Sequence, residues 1–270
     1  MWIEETVRRR RGSVIRNVGR LVKNLVATEP VSAFPERYTI HRGSILPPRD
    51  QRMGGPEYED DGFFLDSAIG EARRVTSTLK AGPDDFLVDI GCGEGRLAIG
   101  LLHESRALRY LGLDVKRAAI AWCQEYIQQW HPAFRFEHVD ILNARYNPTG
   151  RAPLAEDELP VATGSADVVY MWGVLTNMEP EYFPLYAREA ARMLRRGGRV
   201  FVTAHVEAGV PAASVNPDRY TPYRCDGPLH AVRYERQYFI DTFQASGLTL
   251  TGLDYHAAGN CQSELYFVRH

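Results

Sequence analysis

A turn rich in glycine is the stretch of this sequence best suited to chemistry. Residues 86–90 are a short, mostly apolar run, which predicts a strand buried on both faces. Gly91, Gly93 and Gly95 follow at alternate positions, and an apolar pattern typical of a buried helix begins at Leu97. Glycine lets a ligand approach the backbone, and a helix start offers free N–H groups and a positive dipole end. We therefore expect a nucleotide-type pocket at this turn.

The spacing of the turn distinguishes among nucleotides. A dinucleotide fingerprint reads Gly-x-Gly-x-x-Gly, but Arg96 stands where that fingerprint has its third glycine. A phosphate loop would need Gly-Lys-Ser or Gly-Lys-Thr, and the sequence has neither. Asp89, two residues before the first glycine, suits a cationic ligand better than a pyrophosphate. The pattern Asp-x-Gly-x-Gly-x-Gly resembles the first motif of the class I S-adenosylmethionine (SAM) methyltransferases, which implies that the cofactor lies against Asp89, Gly91, Cys92, Gly93 and Gly95.

Acidic residues end the next two predicted strands. Asp114, followed by Val115, comes about twenty residues after the turn, where an acid can accept both ribose hydroxyl hydrogens. Asp140 ends the third strand, and the resemblance implies that it bonds the adenine amino group while the backbone of Ile141 serves the ring. The alternatives are a surface carboxylate for Asp114 and a turn cap for Asp140. Three acids at three successive strand ends, together with the turn, are more specific than any one of them.

The resemblance covers roughly residues 86–204 and is closest to bacterial small-molecule and sugar-type methyltransferases. Fragments at 122–123, 146–150 and 174–178 are similar to ones in that group, although a histidine is common there where Asn177 stands. Trp172, directly after the fourth strand, is expected to line the adenine or acceptor side, or else to pack in the core. No metal site is expected, because the acids at the strand ends already have cofactor roles.

The residues that could act on an acceptor follow the fifth predicted strand. A hydroxyl acceptor needs a base, and His205 is the best candidate because a histidine titrates near neutral pH. Glu207 is the second candidate. Their alternatives are a buried strand-end histidine and a surface carboxylate. The sequence therefore predicts a SAM-dependent O-methyltransferase of a small or carbohydrate-like hydroxyl acceptor. N-methylation of a metabolite or protein side chain, and a SAM-binding partner protein that transfers nothing, stay open.

Strands and helices alternate through the core, which predicts an α/β fold with a doubly wound, Rossmann-like, mostly parallel sheet. Only about nine residues join the last two predicted strands, so that pair should be antiparallel. Seven strands are expected, the last one antiparallel, as the resemblance also implies. The expected organisation is a basic amphipathic helix over 1–30, a lid or loop with a leading helix over 31–82, and the SAM-binding domain over 83–270. An insert over 205–235 should lie on the substrate side.

Composition limits the remaining choices. The chain has 270 residues and a formal net charge of −2, which gives no reason to expect nucleic acid as a partner. Its four cysteines show no Cys-x-x-Cys spacing, which disfavours zinc and disulfides. We see no secretory signal and no apolar run long enough to span a bilayer, so a cytoplasmic location is expected. The N-terminal helix could contact a membrane surface or a second subunit, which allows a homodimer.

Overall fold

The computed structural model of the chain describes residues 37–222, 224–258 and 261–270. The helix predicted over 1–30 lies outside these residues. The chain divides into two compact units, one up to Leu65 and one from Asp66 onward. We describe each unit by itself.

The first unit contains more regular structure than the sequence predicts. The sequence predicts a lid or loop before the leading helix of 31–82, but a short antiparallel hairpin forms there from β1 (Thr39–His41) and β2 (Ser44–Leu46). The buried guanidinium of Arg52 organises this segment, because it donates to Asp61 and to the Thr39 hydroxyl, each at 2.7 Å. These contacts join residues nine and thirteen positions apart, which a local sequence pattern does not reveal.

The second unit is built on one large sheet with helices on both faces. Helix α1 (Asp61–Arg73) begins in the first unit and continues as a π-helical turn over Arg74–Thr78. The other helices are α2 (Arg96–His103), α3 (Arg117–Cys123), α4 (Phe183–Met193) and α5 (Arg236–Ala245). The strands are β3 (Phe86–Ile90), β4 (Arg109–Asp114), β5 (Phe134–His138), β6 (Ala166–Met171), β7 (Leu194–Glu207), β8 (Ala213–Val215), β9 (Val232–Glu235), β10 (Leu248–Ala258) and β11 (Gln262–Arg269).

The strand order confirms the predicted fold class. Along the main path the order is β10-β11-β7-β6-β3-β4-β5. Strands β3 to β7 are parallel, whereas β11 runs antiparallel to both β7 and β10. This main path has the expected seven strands, and β8 and β9 bring the sheet to nine among the described residues. Strand β7 is fourteen residues long; β11 pairs with it only up to Ala204, and β9, itself paired with β8, continues along the same strand from His205.

The two faces of β7 have different surroundings. Since side chains alternate along a strand, residues 200, 202, 204 and 206 share one face and residues 201, 203, 205 and 207 share the other. The first set is fully buried in the main core with aromatic side chains of α4 and α5, including Phe183, Phe239 and Phe243. The second set faces the opposite side, and it places polar side chains at the carboxyl end of β7, where open α/β sheets bind their ligands.

Candidate active site

The glycine turn leaves β3 and is anchored to the neighbouring strand. The N–H groups of Gly91 and Cys92 donate to the Leu113 carbonyl at 2.7 and 3.1 Å. Cys92 and Cys123 are buried free thiols, and burial raises the pKa of both. Cys92 therefore packs beneath the turn as an uncharged side chain.

The three glycines of the turn have different roles. All three adopt left-handed backbone angles, with φ of +73° at Gly91, +52° at Gly93 and +77° at Gly95. A Cβ at Gly91 would lie 2.5 Å from Val174 Cγ2, and one at Gly95 would lie 2.9 Å from Ile127 Cδ1. A Cβ at Gly93 would meet no atom within 4 Å. The outer glycines thus permit close packing, whereas a side chain added at Gly93 would extend into open space.

Asp114 is held by backbone groups at the end of β4. Its Oδ2 accepts the Gly93 N–H at 2.8 Å and its Oδ1 accepts the Lys116 N–H at 2.7 Å. Burial raises the pKa of the carboxyl, and these two hydrogen bonds lower it. A carboxylate oxygen can accept more than one hydrogen bond. Asp114 is therefore fixed in orientation and can still accept two hydroxyl groups, as the ribose prediction requires.

A second acid beside the turn, Glu94, is buried, although its place in a loop would allow an exposed carboxylate. It accepts a hydrogen bond from Lys116 Nζ at 2.6 Å. Its pKa is raised by burial and lowered by Lys116. The pair connects the turn to the segment after β4. The one sequence feature that points to Glu94 as a site residue is its position between two glycines of the motif.

Asp89 lies inside the sheet. Its side chain is buried, and its Oδ2 accepts the Tyr110 hydroxyl at 2.5 Å. Burial raises the pKa of this carboxyl to about 7, against the opposing effects of Tyr110 and Arg96. Tyr170 is its register partner on β6, and the buried Tyr170 hydroxyl has no hydrogen-bond partner among the described residues. The predicted cofactor role of Asp89 stays a prediction, acting through the turn or through its charge.

The residues predicted to contact adenine lie in the segment after β5. Asp140 is exposed and Ile141 is buried. The Asn147 side-chain amide donates to Asp140 Oδ1 at 3.1 Å and to the Ile141 carbonyl at 3.0 Å. On the neighbouring strand end, the Val115 carbonyl lies 3.0 Å from His138 Nε2. Asn147, in one of the fragments that carry the resemblance, therefore sets the position of both predicted adenine contacts.

Trp172 packs among aromatic and charged side chains. Its ring stacks on Phe201 with a centroid distance of 6.1 Å. The guanidinium carbons of Arg74 and Arg96 lie 5.3 and 5.0 Å from the Trp172 ring centroid. Arg74 also forms ion pairs with Glu71 at 2.9 Å and with Glu264 at 2.6 Å. Trp172 thus packs among aromatic rings and ion-paired arginines. Its predicted contact with cofactor or acceptor stays a prediction.

The structure brings His205 and Glu207 together at the carboxyl end of β7. Only 1% of His205 is exposed, and its ring meets Tyr220 edge-on with a centroid distance of 5.3 Å. Burial lowers the pKa of His205 to about 4. His205 Nδ1 has no hydrogen-bond partner among the described residues. At neutral pH the imidazole is therefore uncharged.

Glu207 connects three side chains that come from distant parts of the chain. It accepts the Tyr220 hydroxyl at 2.9 Å and the Tyr255 hydroxyl at 2.6 Å, and it lies 2.9 Å from His256 Nε2. Burial opposes ionisation of Glu207, but these bonds hold its pKa below the usual value. We call Glu207 with His205, Tyr220, Tyr255 and His256 the Glu207 cluster. Tyr255 and His256 were not anticipated from the sequence.

Asn177 anchors the insert over 205–235 to the sheet. Its side-chain amide donates to the Leu229 and His230 carbonyls, both at 2.9 Å. The Asn143 side chain in turn donates to the Asn177 carbonyl at 2.7 Å. Asn177, which stands where the similar methyltransferases commonly have a histidine, therefore has a structural role in this chain.

Two features are absent from the residues that the structure describes. No group of three or more His, Cys, Asp or Glu side chains is arranged to hold a metal ion there. Within the same residues, no helix combines the length and apolarity that crossing a membrane would require.

The fold and the turn define the class: a Rossmann-like methyltransferase. The family model described as "Methyltransferase domain" matches residues 87–198. Similar structures include the [4+2]-cyclase SpnF, with 16% identity, a TM-score of 0.54, and coverage of 76% of this chain and 81% of that one. Geranyl diphosphate C-methyltransferase from Streptomyces coelicolor A3(2) has 15% identity, a TM-score of 0.54, and coverage of 81% and 82%.

A third similar structure is the 1,6-didemethyltoxoflavin-N1-methyltransferase of Burkholderia thailandensis. It has 16% identity, a TM-score of 0.52, and coverage of 90% of this chain and 99% of that one. The chain described here contains a methyltransferase domain over residues 87–198, and it has a Rossmann-like methyltransferase fold. The three names cover cyclisation, C-methylation and N-methylation, so the shared fold leaves the acceptor open.

Proposed function

We propose that this protein is an O-methyltransferase of a small or carbohydrate-like hydroxyl acceptor, with His205 as the general base. The observation that carries the proposal is the position of His205 Nδ1. It is buried, has no hydrogen-bond partner among the described residues, and lies at the carboxyl end of β7, the ligand-binding edge of this type of sheet.

The residues around the turn fit S-adenosylmethionine, which we propose as the cofactor. The open space beside Gly93 allows a ligand to lie against the backbone. Asp114 would hold the ribose hydroxyls, and Asp140 with Ile141 would hold the adenine. Asp89, which is only partly ionised at neutral pH, and Glu94, which is paired with Lys116, would place some negative charge near a cationic ligand. Bound S-adenosylmethionine supplies an electrophilic methyl group on a sulfonium. The protein must then position the acceptor in line and take its proton.

His205 is prepared to take that proton. A hydrogen bond with the Cys261 backbone raises the pKa of His205, which means that a ring N–H donates to the Cys261 carbonyl. Because Nδ1 has no partner, we assign this N–H to Nε2, and Nδ1 then carries the free lone pair. The proton lost by the acceptor hydroxyl passes to Nδ1. Glu207 also raises the pKa of His205, so its charge favours the imidazolium that forms.

Methyl-labelled SAM incubated with fractionated small-molecule extracts, followed by mass spectrometry of the labelled product, tests the proposal. We expect an O-methylated product. Since general base catalysis typically contributes about 10²–10⁴-fold, His205→Gln should lower kcat by that order while the Kd of S-adenosylhomocysteine stays unchanged. His131→Gln, which changes a histidine exposed before β5, is the matched control and should keep full activity.

Two outcomes would replace the proposal. An N-methylated product formed equally well by His205→Gln would identify an N-methyltransferase, because a neutral amine does not need a base. S-adenosylhomocysteine binding without label in any fraction would identify a SAM-binding partner protein that transfers nothing.

A further inference from the structure

Two arginines, Arg233 and Arg236, lie beside the tyrosines of the Glu207 cluster. The guanidinium carbon of Arg233 lies 5.1 Å from the Tyr220 ring centroid, and that of Arg236 lies 5.0 Å from the Tyr255 ring centroid. Both tyrosine hydroxyls donate to Glu207. Each of the two cations is thus held against one of the rings that donate to the carboxylate.

Neither guanidinium is satisfied by the protein around it. The Nε atoms of Arg233 and Arg236 are buried and have no hydrogen-bond partner in the described part of the chain. The neighbouring carboxylates are already used. Glu207 accepts from two tyrosines and contacts His256. Glu235 accepts the Tyr238 N–H as the N-cap of α5. A buried donor without an acceptor is unfavourable, so this arrangement favours a further acceptor from outside the chain.

Arg233 is also next to the proposed base. Strands β7 and β9 are parallel, and His205 is the register partner of Arg233. Register partners in neighbouring strands project to the same face of a sheet and are about 4.8 Å apart. A ligand group bound by Arg233 would therefore lie one strand away from His205, at the distance of a small molecule that spans both.

We propose that the methyl acceptor carries an anionic group, a carboxylate or a phosphate, which Arg233 and Arg236 bind while its hydroxyl faces His205. Guanidinium forks match the two oxygens of these groups, and such charge-assisted hydrogen bonds are among the strongest in proteins. Stacking on Tyr220 and Tyr255 fixes the forks before the ligand arrives. This inference rests on the proposed function, because it assigns the substrate class of the same site.

The test uses the full-length protein, methyl-labelled SAM, and a small-molecule extract divided by anion exchange. The label should appear in the retained fraction, in a product that mass spectrometry shows to contain a carboxyl or phosphoryl group. With that product's unmethylated form as acceptor, Arg233→Gln and Arg236→Gln should each lower kcat/KM at least tenfold, mainly through KM. The Lys variants keep the charge but lose the fork, and they should fall between wild type and Gln.

Arg219→Gln is the matched control, because Arg219 lies in the same insert and its side chain is 92% exposed. It should keep the wild-type kcat/KM. An unchanged Kd for S-adenosylhomocysteine in every variant will show that the fold is intact. Isothermal titrations of inorganic phosphate and of benzoate into the S-adenosylhomocysteine-saturated enzyme should separate the two anion types by which one binds.

The outcomes separate this inference from the function on which it rests. Label found only in neutral or cationic products, or kcat/KM within twofold of wild type in both Gln variants, would overturn the anionic acceptor and leave the methyltransferase standing. Absence of label from every fraction would overturn the proposed function itself.

Discussion

At the scale of single residues, burial rather than sequence position sets the charge of the polar groups in this site. Asp89 and His205 are both almost completely enclosed, and burial disfavours the charged form of each. The pKa of Asp89 rises to about 7 and that of His205 falls to about 4. The Asp89 carboxyl therefore ionises at a higher pH in the fold than in an unfolded chain, and the His205 imidazole takes up a proton only at a lower pH.

Asp89 provides a test of this effect through the pH dependence of stability. Its pKa is about 7 in the folded chain and 3.8 as the reference value, so the folded state binds more protons between these values. Stability from this group is present at low pH and is lost as pH rises toward 7 and above. Asp89→Asn removes the cost of ionisation. Relative to wild type, its thermal midpoint should therefore be higher at pH 8 than at pH 5. The corresponding gain in the free energy of unfolding is at most about 1.4 kcal/mol for each unit by which the pKa is raised.

Asp167→Asn is the matched control with the opposite sign. Burial opposes ionisation of Asp167, but the Phe86 N–H and Arg195 hold its pKa below the ordinary value. Its contribution is present above the unfolded pKa and is lost as pH falls, so this variant should lose stability at pH 8. If the stability of Asp89→Asn relative to wild type did not increase between pH 5 and pH 8, the pKa of the buried Asp89 carboxyl would not be raised.

At the scale of elements, specific side chains hold the insert over 205–235, which is predicted to lie on the substrate side, against the sheet. Asn177 holds the carbonyls of Leu229 and His230, and Asn216 accepts the Ala231 N–H at 3.0 Å. Strand β9 then follows directly and carries Arg233 to the edge of β7. The position of this proposed acceptor side therefore depends on hydrogen bonds between two segments. One is a short 3-10 turn after β6, and the other is a loop about fifty residues later.

Replacing Asn177 with Ala should loosen this insert. Two carbonyls would lose their donor beside the buried Leu229, and each hydrogen bond contributes roughly 1 kcal/mol. We expect faster amide hydrogen exchange over residues 227–235 and a higher KM for the acceptor, with the Kd of S-adenosylhomocysteine unchanged. Gln237→Ala is the control, because Gln237 bonds only the exposed Asp241 side chain at 2.8 Å among the described residues. Equal exchange in the two variants would argue against the anchoring role.

At the scale of the whole molecule, the cofactor should stabilise the fold, because its proposed contacts come from the ends of β3, β4 and β5. A ligand at one hundred times its Kd adds about 2.7 kcal/mol to stability. S-adenosylhomocysteine should therefore raise the thermal midpoint by roughly 5 °C or more, whereas NAD should leave it unchanged. The reverse pattern would contradict the assigned cofactor.

Two glycine variants separate packing from ligand contact in the same measurement. Gly91→Ala should lower the midpoint of the free protein strongly, because its Cβ would lie 2.5 Å from Val174 Cγ2. Gly93→Ala should lower it modestly, by the roughly 1–2 kcal/mol that a left-handed angle costs an L-residue, because its Cβ would meet no protein atom within 4 Å. It should nevertheless lose the stabilisation by S-adenosylhomocysteine. Retention of the full shift would show that ligand does not approach the backbone there.

The sequence alone determined the fold class, the glycine turn and the acids at the strand ends. These features depend on residues close together in the chain: the turn follows β3 directly, and Asp114 follows β4 in the order that a doubly wound sheet imposes. Local spacing and strand order were therefore sufficient to identify a methyltransferase fold and to predict its cofactor. His205 was recognisable for the same reason, since it follows the fifth predicted strand.

Only the tertiary structure decided which side chains surround those residues. Tyr255 and His256 reach Glu207 from 48 and 49 positions away, and β9 sets Arg233 beside His205 across 28 positions. The same holds for burial, which hides Glu94 and Asp89 although both occur in a polar motif. Pairing between distant strands and exclusion of water are properties of the packed sheet, so no local pattern of residue types specifies them.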